Sequence, residues 1–135
     1  MTMKIHTALI TGASAGIGKA FALHLAKEKY SLLLVARREE RLKELAAELV
    51  EKYSINCHIF AADLNDPSAP AAIMSYAENL GITIDILINN AGLSGKTAFA
   101  ETPWSKLEAE IQLMITSVTE LCHRVLPQMQ KNGWG

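Results

Sequence analysis

Thr11-Gly12-Ala13-Ser14-Ala15-Gly16-Ile17-Gly18 decides how this chain is read. Before it stands the apolar run Ala8-Leu9-Ile10, which reads as a buried strand; after it comes Lys19-Ala20-Phe21-Ala22-Leu23, which reads as the start of a helix. Strand, glycine-rich turn and helix N-terminus together make a seat for a pyrophosphate. The glycines permit a tight turn and let a ligand come close to the main chain. The first free N–H groups of the helix and its positive dipole end then face the anion.

The spacing is TGxxxGxG. A Walker A loop does not fit, because five residues separate Gly12 from Gly18 where that motif has four, and Ala20 stands where it needs Ser or Thr. Read outward from the turn, apolar runs alternate with amphipathic stretches, which predicts an α/β fold with a parallel sheet. Strands are expected at 5–11, 31–36, 55–61 and 84–89, each a near-continuous hydrophobic run as helices on both faces would require.

Helices are expected from Gly16 to Lys29 and from Arg38 onward, the second with Leu42, Leu45, Ala46, Leu49, Val50 and Tyr53 at helical spacing. A third should start at Asp66-Pro67, as N-cap and first-turn proline, and end at Gly81. A fourth should run from Pro103 towards Lys131 on the stripe Leu107, Ile111, Met114, Val118, Leu121, Val125, with Pro127 kinking or ending it and Asn132-Gly133 as the stop.

The 135 residues predict one domain, half of it hydrophobic and 20% charged. A net charge of −1 points away from nucleic acid and from acidic membrane surfaces. Cys57 and Cys122 form no CxxC pattern, so they read as packing residues rather than a disulfide or zinc site, and His6, His24, His58 and His123 share no metal-like spacing. Met1-Thr2-Met3-Lys4 runs straight into the first strand, and no apolar span is long enough for a bilayer, so a cytoplasmic location is expected.

Three further stretches carry chemistry. Arg37-Arg38 stand at the carboxyl end of the second strand, about 20 residues past the glycine turn, where an NAD site places an acid on the ribose 2′-OH. Arginine there suits a 2′-phosphate, so NADP(H) is expected over NAD(H). Two cations beside a helix N-terminus are otherwise on the wrong side of its dipole, although simple solvation also accommodates them. Asp63, followed by Leu64, ends the third strand as either an acceptor for the adenine amino group or the start of a turn. Asn89-Asn90-Ala91-Gly92 leaves the fourth strand; two asparagines there need satisfied amides, which tying neighbouring strand ends together would provide.

TGxxxGIG, the arginine edge, Asp63 and NNAG together resemble the classical short-chain dehydrogenase/reductase family along essentially the whole chain. The resemblance implies a Rossmann-type, doubly wound parallel sheet in the order 3-2-1-4. It implies a nicotinamide cofactor on Gly12, Ser14, Ala15, Gly16, Ile17, Gly18, Arg37, Arg38, Asp63, Leu64, Asn90, Ala91 and Gly92, with Asp63 on the adenine. It further implies hydride transfer with a small-molecule carbonyl or alcohol substrate, and a homo-oligomer through the 103–131 helix.

The family's proton donor is a tyrosine with lysine four residues on. Tyr30, Tyr53 and Tyr76 are followed at that spacing by Leu34, Cys57 and Leu80. Family members are roughly twice this long, so the chain is expected to be the cofactor-binding half and to be inactive alone. Counting back from Leu126-Pro127-Gln128-Met129 puts the family's relay asparagine at Met114, on the apolar stripe and therefore expected to point inward. That substitution leaves a non-catalytic NADP(H)-binding relative as the other reading. Ser94, Gly95, Lys96 and Thr97 are expected either to border the substrate cleft or to form a plain loop.

Overall fold

The computed structural model describes residues 4–93 and 96–135. Four parallel strands, β1 (Thr7–Thr11), β2 (Ser31–Ala36), β3 (Cys57–Ala61) and β4 (Ile86–Ile88), lie in the order β3-β2-β1-β4. This is the doubly wound Rossmann-type sheet. Registers such as Leu9 opposite Leu33 and Leu87 bring the ends of β1, β2 and β4 level.

Successive side chains of β1 and β2 point to opposite faces, and two cores result. Ala8, Ile10, Leu32 and Leu34 pack with Ala22 and Ala26 of α1 (Gly16–Lys27) and with Leu42, Leu45 and Leu49 of α2 (Glu39–Tyr53). Leu9, Leu33 and Val35 pack on the other face with Ile73 and Ala77 of α3 (Ala69–Asn79), and with Leu121 and Val125 near the C-terminus. Burial on both faces is why β1 and β2 carry no polar alternation. On α2 the buried stripe is narrower than the periodicity predicts, for Val50 is exposed.

α3 begins at Ala69, three residues beyond the expected Asp66. The Asp66 carboxylate accepts the Ser68 N–H and hydroxyl, both at 2.8 Å, and so closes a turn of its own. Pro70, not Pro67, occupies the first helical turn. Gly81 ends the helix at φ +67°, as expected.

The predicted fourth helix is three segments: α4 (Trp104–Ile111), a π-turn (Gln112–Thr116) and α5 (Ser117–Asn132). The π-turn inserts one residue into the helical repeat and moves the stripe. Leu113 and Ser117 are buried, whereas Ile111 and Met114 are 43% and 49% exposed. Met114 therefore does not point into the core; Leu113 takes that place. Nor does Pro127 end the helix, which runs on to Asn132 and stops with Gly133 at φ +65°. One missing N–H is tolerated where Leu121 and Val125 are already anchored in the core.

At the amino ends of the strands, buried Asp85 accepts hydrogen bonds from Lys4 Nζ (2.9 Å) and the Thr7 N–H (3.0 Å), with His6 Nδ1 at 3.5 Å. Burial pushes this carboxyl up, but the Lys4 hydrogen bond, the Thr7 N–H, the Lys4 charge and His6 together outweigh it and hold it below its ordinary value. Its contribution to stability is thus present above the unfolded carboxyl value, about 3.9, and is lost as pH falls through the lower folded value. Thermal melts of the native chain should drop on acidification below about pH 4. Asp85→Asn should melt lower at neutral pH and lose less on acidification; parallel acid limbs would refute this.

No helix among the described residues is long and apolar enough to cross a membrane. Cys57 and Cys122 are free; burial pushes the Cys57 thiol up to about 12, while Cys122 is exposed rather than a core packing residue. It sits beside the apolar outer edge of β4, where the Asn89 amide approaches its sulfur at 3.5 Å. No cluster of potential metal ligands forms among the described residues.

Candidate cofactor site

The carboxyl ends of β1, β2 and β4 open on a crevice of about 190 Å³. Gly12, Ser14 and Ala15 form its first wall, Ala36, Arg37 and Arg38 the second, Ala62, Asp63, Leu64 and Asn65 the third, and Ala91, Gly92, Leu93 and Leu113 the last. Most of the residues singled out in the sequence meet there. Gly16 and Ile17 lie outside it on the exposed start of α1, Gly18 is buried beneath it, and Asn90 supports it from below.

The turn is built for close approach. Gly12 has φ +63°, and a Cβ there would stand 2.9 Å from Ala91 Cα; one on Gly18 would run into the Gly12 backbone and come within 2.5 Å of the Asn90 amide. The helix start is open: Ala15 is an extended N-cap with no side-chain capping bond. The N–H groups of Gly16, Ile17 and Gly18 find no protein acceptor among the described residues. Three unspent donors beside a cradle without side chains fit an oxyanion such as a pyrophosphate.

Asn90 holds the cradle in place. Its side-chain amide donates to the carbonyls of Thr11 (3.1 Å) and Gly12 (3.2 Å). The Thr11 hydroxyl accepts the N–H groups of Asn90 and Ala91, each at 3.0 Å. The strand ends are tied together as the paired asparagines suggested, with Asn90 as the strut. Thr11 is the partner that sequence reasoning missed; a polar residue closing an apolar strand was the available signal.

Arg37 and Arg38 are both exposed, and Arg38 Nη2 donates to the Ser14 hydroxyl at 3.3 Å. Asp63 is exposed too, and one carboxylate oxygen accepts the Asn65 N–H at 3.0 Å. It therefore starts a turn and also lines the crevice, so the two readings of this residue are compatible. Leu64 is buried beside it. The Met114 ε-methyl lies 3.9 Å from where a Gly92 Cβ would be, placing the thioether at the crevice rim. Lys96 and Thr97 are exposed beyond it, while Ser94 and Gly95 lie outside the described residues.

This geometry has close counterparts. The profile of the family described as short chain dehydrogenase matches residues 6–135. A 7β-hydroxysteroid dehydrogenase of Mediterraneibacter gnavus is 38% identical over 109 residues, covering 81% of this chain and 41% of the relative. Among solved structures, the bulky-bulky ketone specific alcohol dehydrogenase from Comamonas testosteroni superposes with a TM-score of 0.91 at 32% identity, over 98% of this chain and 53% of that one. A short-chain dehydrogenase from Sphingobium yanoikuyae in complex with NADPH gives 0.90 at 37% identity, over 97% and 51%. The chain spans about half the length of these relatives or less. Sequence profile, identity and superposition agree with the crevice at the strand ends: the chain belongs to the short-chain dehydrogenase family.

Proposed function

We propose that this chain is the cofactor-binding portion of an NADP(H)-dependent oxidoreductase that transfers hydride between the nicotinamide and a carbonyl or alcohol substrate. The observation that carries the reading is the uncapped start of α1 beside the Gly12 cradle, with Arg37 and Arg38 on the adjoining strand end. The N–H groups of Gly16, Ile17 and Gly18 would hold the diphosphate. Asp63 and Leu64 would border the adenine, Ala91 and Gly92 the adenosine ribose, and the two guanidiniums the 2′-phosphate. When bound, the cofactor supplies the hydride chemistry; this chain's own residues bind and orient it. The ketone and hydroxysteroid substrates in the relatives' names support the substrate class.

A second reading, a non-catalytic NADP(H)-binding relative, rests on Met114. A thioether at the crevice rim cannot relay a proton. The exposed apolar side chains Trp104, Ile115 and Leu126, 67%, 60% and 51% accessible, support a homo-oligomer through the 104–132 helical segment.

Calorimetric titration of the native chain with NADPH, NADP⁺ and NADH tests the cofactor assignment. The phosphate-bearing forms should bind at least ~10-fold more tightly, the worth of one charge-assisted contact. Equal affinity for NADH would overturn the NADP(H) assignment, and no binding of any of the three would overturn the site.

A further inference from the structure

A second cleft, about 400 Å³, opens on the other side of Ser14, between α1 and α2. Lys19 of α1 and Arg41, Glu44 and Glu48 of α2 line it. Ser14 is shared by both clefts, and its hydroxyl already accepts Arg38. Arg38 is the extended N-cap of α2, and Arg41 lies in the first turn of the helix that follows it.

The close ion pairs along α2 engage neither Lys19 nor Arg41. Glu39 and Glu40, the acids of its first turn, both pair with Lys43, at 3.0 and 2.9 Å. Among the described residues, Lys19, Arg37 and Arg41 have no carboxylate within 4.0 Å. Glu44 and Glu48 share the cleft with Lys19 and Arg41 yet bridge neither. Ser14, half-buried and bonded to Arg38, thus stands between a crevice lined by Arg37 and Arg38 and a cleft lined by Lys19 and Arg41.

We propose that Lys19 and Arg41 are further specificity-determining residues, forming the outer wall of the 2′-phosphate site opposite Arg37 and Arg38. This rests on the cofactor reading above. Its physical basis is that Ser14 lines both clefts, so a dianion at Ser14 borders the cleft that Lys19 and Arg41 line, and exposed charges act over a screening length of about 8 Å at physiological salt. Glu44 and Glu48 compete with that dianion for Arg41, so the same cleft predicts effects of opposite sign.

The test measures Kd for NADPH and for NADH in the native chain and in Lys19→Gln, Arg41→Gln, Arg41→Lys and Glu44→Gln. Lys19→Gln and Arg41→Gln should each lower the NADPH-over-NADH ratio on the order of threefold, as for a solvent-exposed ion pair. Arg41→Lys should restore most of the loss and Glu44→Gln should raise the ratio, with NADH affinity steady throughout as the measure of an intact fold. Ratios unchanged in Lys19→Gln and Arg41→Gln would overturn the proposal, as would NADPH and NADH affinities falling in step. A native chain that prefers neither cofactor would instead defeat the Arg37 and Arg38 assignment, which separates the two failures.

Discussion

Replacing Gly18 by alanine should abolish NADPH binding and lower the melting temperature by about 10 °C. The added methyl would collide with the Gly12 backbone and press on the Asn90 amide. A side chain can swing away, but the Gly12 carbonyl cannot: it is held by Asn90 Nδ2 at 3.2 Å, and its strand is buried on both faces. Overpacking a site of this kind costs about 3 kcal/mol. It also spreads the turn from the helix start, so the free N–H groups of α1 no longer converge. Gly16 is the control. Its φ is +56°, but nothing lies within 4 Å of an added Cβ. Gly16→Ala should therefore cost only the left-handed penalty of about 1–2 kcal/mol. Melting and NADPH titration of the two variants should separate them clearly; a Gly18→Ala chain that melts and binds like the native one would show that the close approach is not what the glycine provides.

The contrast between these glycines shows what the sequence could and could not disclose. Gly12, Gly18 and Asn90 were legible because each is the only kind of residue its place allows: two positions without room for a Cβ, and one amide strut under the turn. The strands were legible for a related reason, since β1 and β2 are covered on both faces and carry unbroken apolar runs. The start of α3 was not. Asp66-Pro67 fits a helix cap and an Asx turn equally well, and the choice came from the Ser68 groups that the carboxylate engages.

The π-turn was harder still. Spacings of three and four describe any apolar helix, and one extra residue between Ile111 and Ser117 leaves that pattern readable while rotating Met114 to the surface. Its consequence falls on the site. Leu113 becomes a crevice wall and Met114 a rim residue near Gly92, where sequence alone put a core side chain. Lys19 and Arg41 could not be paired from sequence, because they line one cleft with Ser14 only once α1 and α2 are packed on the same face of the sheet.

Arg37→Asp should invert the cofactor preference. Arg37 follows the last residue of β2, lines the crevice and forms no ion pair among the described residues. Its guanidinium is therefore available to a 2′-phosphate. Losing a charge-assisted contact costs about 1.5–3 kcal/mol, and a carboxylate facing the phosphate adds repulsion, so NADPH affinity should fall on the order of 100-fold. The same carboxylate can accept the ribose 2′-hydroxyl, so NADH affinity should hold or rise. Stability gives no competing explanation, because the position precedes the Arg38 N-cap of α2 and a negative charge there is favoured by the helix dipole. The variant should melt at or slightly above the native temperature while its preference reverses. If NADH and NADPH bind with the same ratio before and after the exchange, the arginine is a solvated surface residue and the phosphate is held elsewhere.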